Sequence, residues 1–100
     1  MLNIIKNRCY IVSSIYDDEI KSLISAAIID CIESGIDNSV FKPSADGKYD
    51  DQVINCITAF VKANRGNDRT DTEVYMRMYT TYRDKMSLES NYNKVSDSNE

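Results

Sequence analysis

One hundred residues with a formal net charge of −4 and no His make one small, mildly acidic domain. Only three Gly and one Pro argue against a turn-rich all-β fold and for helices. The three cysteines, Cys9, Cys31 and Cys56, lack C-x-x-C spacing and read as reduced core thiols of a cytosolic product, not as a zinc site or disulfide framework.

In chain order, Leu2, Ile5, Cys9 and Val12 recur at three- and four-residue steps and predict a short amphipathic helix over residues 2–12 that must dock to be stable. Lys6 and Arg8 interrupt any signal-peptide core, and no uncharged apolar stretch is long enough to span a membrane. Ser13 to Tyr16 then form a tight connection.

Ile20, Leu23, Ile24, Ala27, Ile28, Cys31 and Ile32 draw one wide helical stripe, the strongest periodic signal in the chain and the element around which the rest is expected to pack. Asp17 is the expected cap, with Asp18 and Glu19 at the positive end of the helix dipole. Gly35 follows the last periodic residue, where a left-handed closing residue is favoured.

Residues 36–49 form the one long connection and hold the only Pro. The Asp46-Gly47 turn dipeptide allows a small hairpin of 39–42 against 48–50. A link of this length exceeds what a bundle needs. It reads either as a surface crossover with Val40 and Phe41 tucked onto the core, or as a loop that touches a partner through Phe41, Lys42, Pro43 and Tyr49.

Val53, Ile54, Ile57, Phe60 and Val61, with Cys56 beside them, predict a third helix over 51–64, capped by Asp50 or Asp51 and stopped by Gly66. Thr70-Asp71-Thr72-Glu73 has capping-box spacing and starts a fourth helix running to about Met86. Tyr75, Met78, Tyr79, Tyr82 and Met86 line one of its faces. This stripe reads as an outer core helix or a subunit contact. From about residue 90 polar residues dominate, so residues 1–89 are read as the helical domain and 90–100 as a flexible polar tail, with Tyr92 and Lys94 available to a partner. The fold class expected is an all-α bundle of about four helices with one long loop.

No Gly-rich phosphate loop is present and no Ser has an imidazole partner, so neither catalysis nor a cofactor is expected. Asp46, Asp50 and Asp51 do not match a calcium-loop spacing. No run of like charge reads as a nucleic-acid arm.

Three segments carry a resemblance. Asp17-Asp18-Glu19-Ile20, followed by Leu23-Ile24, Ala26-Ala27, Ile32 and Gly35, resembles the acidic-capped main helix of the phage head–tail connector family, whose members are also called DNA-packaging or head-completion proteins. Val53 through Gly66 resembles that family's second signature helix, with Arg65 standing where many relatives carry an aromatic. Tyr82-Arg83-Asp84-Lys85-Met86-Ser87-Leu88 resembles the end of its last helix. The likeness spans roughly residues 2 to 92. It implies a structural virion protein at the head–tail junction, assembled in the bacterial host cytoplasm. Such a protein would form a ring of about a dozen copies under the portal protein, extend the DNA channel and dock a head-closure or tail-completion protein. DNA would be passing cargo only.

Two other readings stand beside it. One is a small helical DNA-binding regulator using residues 51–85 as a helix-turn-helix. Against it, the six-residue connection 64–69 is long for that motif, and the acids Asp71 and Glu73 at the start of the second helix would be repelled by phosphate. The other is an interaction module outside any virion. A gel shift at low salt separates the first of these, and neighbouring portal and capsid genes separate the second.

Overall fold

A computed structural model describes residues 1–65 and 71–93, and within them four helices: α1 (Leu2–Arg8), α2 (Asp17–Glu33), α3 (Asp51–Asn64) and α4 (Thr72–Leu88). The all-α bundle expected from the sequence forms. Its centre is α3, not α2. Val53, Ile54, Cys56, Ile57, Ala59 and Val61 are buried, and so are Thr58 and Ala63, leaving α3 covered on almost every side by α1, α2 and α4. The periodic stripe of α2 is the more conspicuous in sequence, but the small residues Thr58, Ala59 and Ala63 are what let neighbours close over α3.

The Asp50 carboxylate caps α3 by accepting hydrogen bonds from the Gln52 and Val53 amides at 2.8 and 3.3 Å. The expected stop, Gly66, lies outside the described residues. α2 buries Ile20, Ile24, Ala27 and Cys31 against the core. Asp17 does not cap it: Tyr16 occupies the N-cap without a side-chain bond, because the helix continues from a 3₁₀ turn over Ser14–Tyr16 that Ser13 caps. Asp17 instead pairs with Lys6 of α1 at 2.7 Å. At the other end Gly35, at φ +108, lets two amides turn back: Gly35 donates to Ile32 O at 3.0 Å and Ile36 to Cys31 O at 3.1 Å. That pair of bonds is a Schellman closure, and Ile36 buries against the core beyond it.

α1 is shorter than expected. It ends at Arg8, and Val12 is 97% exposed. Tyr10 adopts φ +58 and reverses the chain, with Tyr10 donating to Asn7 O and Ile11 to Lys6 O at 3.2 and 2.9 Å. Only Ile5 of α1 is fully buried.

α4 divides its expected stripe. Tyr79 and Met86 are buried, Tyr75 and Tyr82 are half-buried, and Met78 turns outward at 40% exposure. Thr70 lies outside the described residues, and Asp71 holds the N-cap position without a capping bond from its side chain. Tyr79 is the joint of the bundle. Its ring meets Phe60 edge-on at 4.9 Å, and its hydroxyl donates to Asp30 Oδ2 at 2.6 Å. Arg83 reaches the same oxygen at 2.8 Å. Burial, then the bond to Asp30, pushes the Tyr79 phenol well above its ordinary value, so it stays a donor. Those bonds, led by the one from Tyr79, hold the Asp30 carboxyl below the usual range. Cys31 and Cys56 are free thiols with sulfurs 4.0 Å apart in the same core, and Cys31 together with burial pushes the Cys56 thiol up.

Among the described residues no strand forms. The first arm of the expected hairpin is a 3₁₀ turn, Asn38–Phe41, because Asp37 caps it through the Ser39 amide at 3.1 Å. The chain instead makes one isolated antiparallel bridge, Ile36 to Asn93.

Candidate functional site

The long loop is built from two local devices. The Asp37-capped turn drives Phe41 into the core at 7% exposure. Three residues on, the Ser44 amide donates to Lys48 O and the Gly47 amide to Ser44 O, each at 2.8 Å. Gly47 sits at φ +82, the left-handed position that the Asp46-Gly47 dipeptide announced. Asp46 locks this turn by accepting from the Ser44 hydroxyl and, at 3.2 Å, the Lys48 amide. Those two bonds, the Ser44 one first, hold its carboxyl below the ordinary range.

The chain after α4 returns to this loop. The amides of Tyr92 and Asn93 donate to Glu89 O at 3.0 and 3.1 Å, and the Asp37 amide donates to Tyr92 O at 2.7 Å. The Tyr92 hydroxyl donates to Asp50 Oδ2 at 2.9 Å and accepts from Gln52 Nε2 at 3.2 Å. Burial and the bond to Asp50 push that phenol up to about 12. Residues 90–93, read from sequence as the start of a flexible tail, are therefore tied to the base of the loop and to the cap of α3. The alternation-free polar sequence hid this, because one tyrosine hydroxyl and one backbone bond, from the Asp37 amide, do the tying.

Between the loop and this C-terminal return lies an open groove of about 600 Å³. Of the six residues singled out in sequence, Lys42, Pro43, Tyr49 and Tyr92 line it together. Phe41 does not, since a side chain inside the core offers nothing to a partner; it is withdrawn from the set. Lys94 lies outside the described residues. Ser44, Asp46, Lys48, Asp50 and Asn91 also line the groove and were missed, since nothing in their spacing ties the two segments together. Lysines and carboxylates alternate around it with two tyrosine rings, a surface suited to polar and stacking contacts with another chain. Among the described residues no group of three or more His, Cys, Asp or Glu could hold a metal ion. No helix there is long and apolar enough to cross a membrane.

Compared with known families, residues 1–93 match the model described as phage connector protein. No curated protein and no solved structure matches the chain.

Proposed function

The chain belongs to the phage connector protein family, and from that premise we propose that it is a head–tail connector subunit which assembles as a ring under the portal and docks through the loop groove. A connector is a structural part of the virion, and this subunit would do its work by contact. The ring would hold about a dozen copies related by rotation, extend the DNA channel and receive a head-closure or tail-completion protein, after assembly in the host cytoplasm. A net charge of −4 suits a wall that lets a polyanion pass, where a basic lining would retain it through counterion release.

The observation that carries the docking site is the convergence of Lys42, Pro43, Tyr49 and Tyr92 on one groove. A loop longer than the bundle needs and the chain's C-terminal return meet there, and Lys94 follows Asn93 directly in sequence. Exposed Lys42 and Lys48 can be reversed without touching the core. Lys42→Glu with Lys48→Glu should keep the helical signal and melting temperature of the wild type, yet lose binding to purified portal and fail to restore a connector-null phage. Full complementation by this double variant would place the portal contact elsewhere.

A further inference from the structure

A second surface, away from the loop groove, gathers what the acidic total conceals. Three adjoining hollows run along one side of α4. The first, about 310 Å³, lies between Cys9, Val61, Arg65 and Tyr75. The next, about 320 Å³, shares Tyr10, Lys62 and Tyr75 with it and reaches Arg8. The third, about 400 Å³, shares Met78 and Tyr82 with the second and ends at Arg77 and Lys85. Their lining carries five cations, Arg8, Lys62, Arg65, Arg77 and Lys85, against one acid, Asp71. The whole sequence has 12 Lys and Arg against 16 Asp and Glu, so this lining runs against the balance of the chain; of its cations, Arg65 also pairs with Glu19 at the start of α2 at 3.4 Å. Sequence showed no basic stripe because four of these five come from three different helices and Arg65 follows the end of α3.

Two details mark this face as built for contact. The Thr58 hydroxyl oxygen, on the wall of the middle hollow, is buried without a partner. Tyr10 holds φ +58 at the C′ position of α1, where glycine is the unstrained choice, yet its ring is 90% exposed. The Lys62 ammonium lies 6.0 Å from that ring and 5.5 Å from the Tyr75 ring. A strained residue that buries almost nothing in its own fold is better explained by what it touches outside it.

We propose that this basic, tyrosine-rich face receives the outward face of α2 from a second copy of the chain. This rests on the ring reading above and names its subunit contact. No residue of α2 lines any of the three hollows, so the two faces are distinct, as a head-to-tail ring contact demands. The outward stripe of α2 carries the acids Asp18 and Glu33, the small residues Ser22, Ser25 and Ala26, and Ile29 at 57% exposure. Small residues admit a close helix, Ile29 meets Val74 and Met78, and the acids meet the cations. Both helices have 17 residues, each about 25 Å long at the α-helical rise, so the stripes match in length. Exposed Val74 and Met78 fit a protein partner and give a nucleic acid nothing to recognise.

A charge swap tests it. Arg77→Glu with Lys85→Glu on one chain, or Asp18→Lys with Glu33→Lys on another, sets like charge against like and should weaken self-association roughly a hundredfold. It should also abolish complementation by either variant alone. An equimolar mixture restores both contacts and should recover assembly on the portal and phage titre. Tyr10→Gly should weaken assembly while its melting temperature equals or exceeds that of the wild type, a combination that loss of folding cannot produce. Normal assembly by each swapped variant alone overturns the pairing while leaving the ring reading intact. A wild-type chain that forms no ring on the portal overturns both. Tight, salt-sensitive duplex DNA binding that Arg77→Glu with Lys85→Glu removes assigns the face to nucleic acid and overturns the proposal.

Discussion

Replacing Tyr79 by Phe isolates the joint between α2 and α4. The ring is 1% exposed and its edge contact with Phe60 survives the change, so only the hydroxyl is lost. That hydroxyl donates to Asp30 Oδ2 at 2.6 Å and lies 3.4 Å from Ala27 O and 3.6 Å from Cys31 Sγ. A hydrogen bond to a charged group contributes about 1.5–3 kcal/mol. The Asp30 side chain is 42% exposed and keeps Arg83, so water replaces part of the loss and about 1–2 kcal/mol remains. For a domain of this size that lowers the melting temperature by about 5–15 °C. The pH dependence has a definite sign. Asp30 is depressed in the fold, first by Tyr79, so its contribution is present above the unfolded carboxylate value of about 3.9 and is lost as pH falls through the folded one. The gap between wild type and Tyr79→Phe should therefore be widest at neutral pH and close in acid. Urea unfolding at pH 7 and at about pH 3 measures both limbs. Equal stability at pH 7, or a gap that stays constant into acid, would show that the Tyr79–Asp30 bond does not hold α4 to α2.

Two further changes probe other closures. Gly35→Ala should cost about 1 kcal/mol in urea unfolding, purely as backbone strain at φ +108, since an added Cβ meets nothing within 4 Å; an unchanged midpoint would mean the turn relaxes without cost. Deleting residues 90–100 removes the Tyr92 bonds to Asp50, Gln52 and Asp37 and should lower stability by about 1–2 kcal/mol, whereas unaltered melting would show that the return adds nothing to the loop's anchorage.

The helices were legible because each carries its own period. Ile20, Ile24, Ala27 and Cys31 announce α2, and Val53, Ile57 and Val61 announce α3, without reference to any other segment. Their relative rank was not legible. Thr58 and Ala63 look like surface residues in sequence and are buried only because the neighbouring helices close over α3. Endings set by backbone rather than side chains were also hidden. α1 stops at a tyrosine in a glycine conformation, and Asp17 pairs with Lys6 instead of capping. The candidate groove was half legible: the loop's surplus length marked Lys42, Pro43 and Tyr49, while the contact of Tyr92 with Asp50 spans 42 positions and leaves no local trace.

Charge illustrates the same division between what is local and what is assembled. A sequence count yields one number, −4, and that number describes no surface of the molecule. Arg8 comes from α1, Lys62 from α3, Arg77 and Lys85 from α4, and only the packing of these helices on α3 sets them side by side. Segregation has a consequence that uniform charge would lack. A uniformly acidic subunit repels its own copies at every approach, whereas one basic face on an acidic body attracts a neighbour in a single orientation. On the proposed reading the same segregation keeps positive charge inside the subunit contacts and leaves the acidic remainder to face the passing DNA. Ring closure and channel wall would then follow from one distribution of charge, and raising the salt should loosen the first without making the second bind DNA.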